Sequence, residues 1–206
     1  MTIRLHRGDL PDQDLKRYTQ SAAIDTETMG LNPHRDRLCV VQMSPGDGSA
    51  DVIQIAHGQH DAPNLKKLLG DAKIVKIFHF ARFDLAALSN AFGVMPQPVY
   101  CTKIASRLSR TYTDRHGLKD LVRELLNIDL SKQQQSSDWG AQTLTDAQLA
   151  YAASDVLHLH ALRDKLDAML ARENRNEMAR ACFDFLPARA RLDLSGWEAE
   201  DIFAHS

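Results

Sequence analysis

Residues 22–31 read AAIDTETMGL: an apolar lead-in, two acids one residue apart, and a glycine before the next turn. Successive strand side chains point to opposite faces, so Asp25 and Glu27 share one face while Ile24 and Thr26 share the other. Side by side, two carboxylates repel each other. The pattern suits a face open to water, or one where a divalent cation sits between the acids. Working outward, SAAIDTE (21–27), RLCVVQMS (37–44) and ADVIQIA (50–56) read as three short strands of a meander, joined through the turn-forming NPHRD and PGDGS. GDGS at 46–49 lacks the rest of a dinucleotide-binding fingerprint and is read as a turn. APNLKKLLG (62–70) then reads as helix, KIVKIFH (73–79) as strand, ARFDLAALSNAFG (81–93) as helix and PVYC (98–101) as strand. This alternation predicts α/β crossovers onto one sheet. From Thr102 onward the chain is mostly helical, and its longest helix is expected from near Leu144 to about Arg172.

The 206 residues suffice for one sizeable core, and 44% hydrophobic with 25% charged residues is ordinary globular composition. One domain is expected over 1–206, with 187–206 as a C-terminal tail. The N-terminus mixes charges where a signal peptide needs an unbroken apolar stretch, so a cytoplasmic protein is expected. Cys39, Cys101 and Cys182 are odd in number and far apart, which predicts free, buried thiols. A net charge of −2 argues against an extensive basic surface for long nucleic acid. The basic excess in residues 103–132 is local. Arg115, Lys119 and Arg123 are spaced to share a helix face, for which solvation alone is explanation enough.

Two further acids stand on faces that are otherwise apolar. Leu159, Leu162, Leu166 and Met169 mark the buried stripe of a helix, and that stripe continued backwards passes through Asp155 and Tyr151. An acid there needs a cation, hydrogen bonds or a shifted pKa, unless it faces a solvent cleft just beyond the core. In HFARFDLAAL (79–88), Asp84 lies between Phe80 and Leu88 at i, i+4 spacing. The helix dipole alone favours an acid in that first turn. The four acids together carry the argument that none carries singly.

In this order, D-x-E in IDTETMGL, Asp in HFARFDLAAL and Y-x-x-x-D in YAASDVLHLHALRDKL resemble the DEDDy 3′-5′ exonucleases of the ribonuclease D superfamily. The likeness spans about residues 20–166. The histidine-bearing sister group places its histidine five residues before the last Asp, where this chain has Ala150. RDRLCVVQ, TKIASRLSRTYTDRHGLK, SKQQQSSDW and the terminal FAHS further resemble the nanoRNase C group, compact oligoribonucleases of the shortest RNAs. The resemblance implies an RNase H-like mixed β-sheet flanked by helices, of DnaQ or ribonuclease D type, without the helical HRDC domains of ribonuclease D proper. It implies hydrolysis of diribonucleotides or very short RNAs to nucleoside 5′-monophosphates by two divalent cations, Mg²⁺ or Mn²⁺. A 3′-5′ DNA exonuclease is the near alternative, and an inactive binding scaffold the distant one.

By the same resemblance Asp25 bridges the two metals, Glu27 and Asp155 complete the site for the nucleophile's metal, Asp84 supports the other through water, and Tyr151 orients the attacking water. Leu31 is implied as a wedge between two bases, with Met29 beside it; both could instead be core. His79 is implied at the scissile nucleotide. Lys132 or Arg107 is expected to cap a 5′-phosphate, while Gln135, Ser136 and Trp139 shape the pocket, although a polar surface loop explains that stretch as well. His158 and His160 fit no pattern. Trp197, Ile202 and Phe203 form an apolar set that needs a surface to cover, and the resemblance implies a ring-like homo-octamer.

Overall fold

The computed structural model describes residues 2–131, 133–134 and 136–205. Its strands are β1 (Thr2–Arg7), β2 (Ser21–Thr28), β3 (Leu38–Ser44), β4 (Ser49–Gln54), β5 (Val75–Phe78) and β6 (Val99–Cys101). Its helices are α1 (Asp12–Leu15), α2 (Pro63–Gly70), α3 (Ala81–Phe92), α4 (Thr102–Ser109), α5 (Leu118–Leu126), α6 (Asp146–Leu157), α7 (Leu159–Arg172) and α8 (Asn176–Leu194). The strands form one mixed sheet in the order β1-β4-β3-β2-β5-β6. The antiparallel run β2-β3-β4 is the expected meander, and β5 and β6 add to it in parallel through the helical crossovers. β3 is buried along its whole length, which accounts for the apolar run Leu38–Val41 and Met43, interrupted only by the buried Gln42 before Ser44 closes the strand. No helix of the described residues is long and apolar enough to cross a membrane.

Cross-strand pairing sorts the side chains into two layers. Asp25 lies opposite Gln42, which lies opposite Val52, and Val52 opposite Leu5. One residue away, Ile24, Met43, Asp51 and Arg4 form the adjacent row on the other face. α6 packs on β2, β3 and β4, covering Val40 and Val52, while α3 packs on β2, β5 and α8. Thr26 ties α3 to the strand by donating its hydroxyl to Asp84, whereas Asp25 and Glu27 meet Asp155 of α6. The central strand is thus read from both sides by helices carrying acids.

Four differences from the sequence reading have physical causes. β1 was not anticipated; as a half-exposed edge strand it carries charge at alternate positions and too short an apolar signal. The expected 144–172 helix is two helices broken at His158, because α6 rests on the sheet while the second half packs against α4, α5 and β5. Leu159, Leu162 and Leu166 are fully buried as predicted, but Leu170 rather than Met169 completes the stripe. α8 runs through Pro187 to Leu194, so the tail begins at 195 and not at 187. Cys39 and Cys101 are buried free thiols and Cys182 a half-buried one.

Two local devices fix the frame. Lys76 of β5 is fully buried, and its ammonium donates to the carbonyls of Asp71 (2.6 Å), Ile74 (2.7 Å) and Gln97 (2.6 Å). Burial lowers its pKa to about 8. At the other end of β3, Gly46 sits at φ +90°, and a Cβ there would come within 3.1 Å of the His160 ring. His160 in turn bonds Ser21 of β2 at 3.0 Å, so a packing role explains this histidine.

Candidate active site

The register of β2 delivers Asp25 and Glu27 to one face, and a register shift between Glu27 and Thr28 ends the regular pairing immediately after the second acid. From above, α6 supplies Tyr151 and Asp155 one turn apart. Its start is fixed by a capping box in which the Thr145 side chain accepts from the Gln148 amide N–H and the Gln148 side chain from the Thr145 N–H. One carboxylate oxygen each from Asp25, Glu27 and Asp155 lies within 4.8 Å of the others. Asp84 stands behind the strand, buried in the first turn of α3, and accepts the Thr26 hydroxyl at 2.7 Å. Asp25, Glu27, Asp155 and Tyr151 open onto a cleft of about 330 Å³ lined also by Thr26, His79, Gly117, Leu118, Lys119, Asp120, Leu130 and Ser131.

Among the described residues, no salt bridge compensates the trio. Burial raises Asp25 to about 7, opposed by the Thr26 N–H and the Gln42 amide. Burial and then its neighbours Asp25, Asp155 and Asp84 push Glu27 up to about 9. Burial and Asp25 take Asp155 to about 8, and the same two causes raise Asp84 well above the carboxylate range. Burial, Asp155, Glu27 and Asp25 also raise Tyr151, so its phenol stays protonated and can donate. Mutually repelling carboxylates of this kind are the donor set a hard divalent cation takes, since it supplies the missing positive charge and prefers oxygen ligands. Asp25, Glu27 and Asp155 would hold such an ion directly.

The remaining expected residues divide. His79 lines the cleft, its Nδ1 bonded to the Thr102 hydroxyl at 2.8 Å, and burial first and Lys103 second lower it to about 3, which keeps it neutral. Met29 and Leu31 are 53% and 83% exposed, which removes them from the core and leaves them free to meet a ligand. Leu31 faces a second cleft of about 430 Å³ with Phe80, Arg82 and Phe83. Arg107 lies elsewhere, along an apolar groove between α4 and α8, because α4 turns that face away from the acids. Trp139 is 3% exposed and belongs to a small core with Cys39, Val40, Val52, Leu144 and Ala152. It does not shape a pocket wall; it backs Tyr151, ring centroids 6.0 Å apart. Ser136 is exposed on a turn, and Lys132 and Gln135 lie outside the described residues. Lys119 and Gln42 were not singled out as site residues. A glutamine midway along an apolar strand was the available signal for the second.

The residues 13–171 match the family model described as 3′-5′ exonuclease, and the chain belongs to that family. A solved structure of Brucella melitensis NrnC with bound Mg²⁺ is 65% identical, each chain covered in full, with a TM-score of 0.96. Another, of Brucella melitensis NrnC bound to pGG, is 66% identical over the full length of both chains with a TM-score of 0.97. Among curated relatives, ribonuclease D of Gluconacetobacter diazotrophicus is 37% identical over 153 residues, which is 74% of this chain and 38% of that protein. The chain therefore spans about two fifths of the length of that relative.

Proposed function

We propose that this protein is a 3′-5′ exoribonuclease that hydrolyses 5′-phosphorylated diribonucleotides, and the shortest RNAs generally, to nucleoside 5′-monophosphates. The observation that carries the reading is the uncompensated trio Asp25, Glu27 and Asp155 beside a protonated Tyr151. The Mg²⁺ and pGG of the two NrnC structures support the ion and the substrate class. Two divalent cations, when bound, supply activation of the attacking water and stabilisation of the leaving oxygen. Asp25, Glu27 and Asp155 hold that charge in place, with Asp84 supporting from behind the strand. Tyr151 donates a hydrogen bond that orients the attacking water, as a phenol well above its ordinary pKa cannot serve as base. His79, neutral and tethered to Thr102, packs at the scissile nucleotide. Leu31, exposed and apolar, separates the bases.

Of the cations expected to cap a 5′-phosphate, Arg107 lines a different groove and Lys132 lies outside the described residues; Lys119, on the cleft wall, takes that part. We place the protein in the cytoplasm, as a single exonuclease domain whose tail covers a subunit interface in a homo-octamer. The exposure of Trp197, Ile202 and Phe203 (46%, 47% and 75%) supports that covering role. The test is hydrolysis of labelled pGG with Mg²⁺, compared with GG, a seven-residue RNA and the matching DNA. Preference for pGG over all three is expected; equal kcat/KM on two- and seven-residue RNA would leave a general exonuclease, and faster cleavage of DNA the alternative one.

A further inference from the structure

Gln42 is completely buried in the middle of β3, and strand pairing sets it directly opposite Asp25. Its Nε2 donates to Asp25 Oδ2 at 2.5 Å. Among the described residues its Oε1 is buried without a partner. A buried acceptor left unsatisfied is uncommon, and it needs a reason. Val52, the next residue in the row, offers no hydrogen bond, so the amide cannot turn round without putting its oxygen against a carboxylate. The arrangement is costly as a piece of core, where leucine or methionine would fill the volume with no polar atom to satisfy.

What it achieves is specific to the acids. A lysine or arginine at this position would orient the carboxylates and also neutralise them, removing the charge that draws a cation. An amide orients without neutralising. We infer that Gln42 is a positioning residue, whose buried amide fixes the carboxylate of Asp25 for divalent-cation binding. This rests on the cation site proposed above and adds a member that touches neither substrate nor ion. Such supporting partners of metal-binding carboxylates commonly contribute ten- to a hundredfold, roughly, to metal affinity.

The test measures Mn²⁺ affinity by calorimetry on the full chain, with wild type, Gln42→Leu and Gln42→Met compared. Both variants keep the volume and remove the donor, and thermal unfolding without metal reports whether each is folded. The expected result is a metal-free Tm at or above that of wild type, with Mn²⁺ bound about tenfold or more weakly. Excess Mn²⁺ should restore kcat, with KM for the dinucleotide little changed. Folded variants binding Mn²⁺ within about twofold of wild type would overturn the inference, as would unfolding of both variants, which would make Gln42 a core residue. Failure of the wild type itself to bind Mn²⁺ would strike the cation reading instead.

Discussion

Among the described residues, two groups of three side chains bring ligand atoms within 4.8 Å of one another: Asp25, Glu27 and Asp155 on one face of the sheet, His6, Asp14 and Asp51 on the other. By spacing alone they are equivalent. Their surroundings are opposite. Asp51 is fully buried but accepts from the Tyr18 hydroxyl at 2.6 Å, from His6 at 2.9 Å and from the Arg17 guanidinium. Asp14 has Arg17 at 3.4 Å and Arg4 at 3.7 Å. The second group is a closed ion-pair network that stabilises the junction of β1, α1 and β4. Among the described residues the first has only neutral donors, Gln42, Thr26 and Tyr151, and a cleft in front of it. Proximity of ligand atoms therefore says little about metal binding until counter-ions are counted.

The sharpest way to break this contrast is Asp25→Asn. It should lower kcat/KM by about a thousandfold or more, the scale of losing transition-state charge stabilisation, yet raise the metal-free Tm by relieving repulsion. A lowered Tm would mean that the trio is a structural network like the other. Next is pH. The trio's acids ionise near 4 when unfolded and at about 7 to 9 when folded, so between those limits the native state binds more protons. Metal-free stability should then fall as pH rises from about 5 to 9, by roughly 3 kcal/mol or more, and saturating Mn²⁺ should flatten the curve. Urea denaturation at a series of pH values, with and without Mn²⁺, would show it. A flat metal-free curve would mean that water already compensates the acids.

Tyr151→Phe removes a single hydroxyl and should reduce kcat by about a hundredfold with KM nearly constant. A change confined to KM would make Tyr151 a binding residue. The smallest expected effect is on the closed side. Arg17→Met leaves Asp51 with Tyr18 and His6 alone and should cost about 2 kcal/mol of unfolding free energy, because part of the guanidinium's interaction is exposed to solvent. Activity of the folded protein should be unaltered. If activity fell in proportion, the two faces of the sheet would be coupled rather than independent.

The sequence made the acids of the open side legible for a definable reason. D-x-E on one strand face, Asp84 on an apolar helix face and Asp155 on an apolar stripe each violate the local pattern, and chemistry was the economical explanation. Compensation was invisible. Asp51 interrupts ADVIQIA as plainly as Asp25 interrupts SAAIDTE, yet its partners Arg17 and Tyr18 come from a segment with no strong periodicity. The same limit applied to the binding residues. Trp139 follows a polar run and looked like a pocket wall, but an indole that size was needed to fill the small core beneath Tyr151. Arg107 was placed by its charge, while helix phase put it on another face. The break at His158 was hidden because the apolar stripe is continuous through it, though its two supports are not.

Lys76 makes the molecule its own reporter. Its amine is locked behind three carbonyl groups with no surface exposed, so an amine-reactive label can reach it only after the β5 neighbourhood has opened. The exposed lysines, Lys16, Lys67 and Lys73 among them, label at once. The slow remainder therefore times cooperative opening of the sheet's parallel half, read by mass spectrometry without any engineered probe. Slower labelling in the presence of Mn²⁺ would show that an ion held by acids further along β2 and on α6 tightens the parallel part of the sheet where this lysine is buried between β2 and β6.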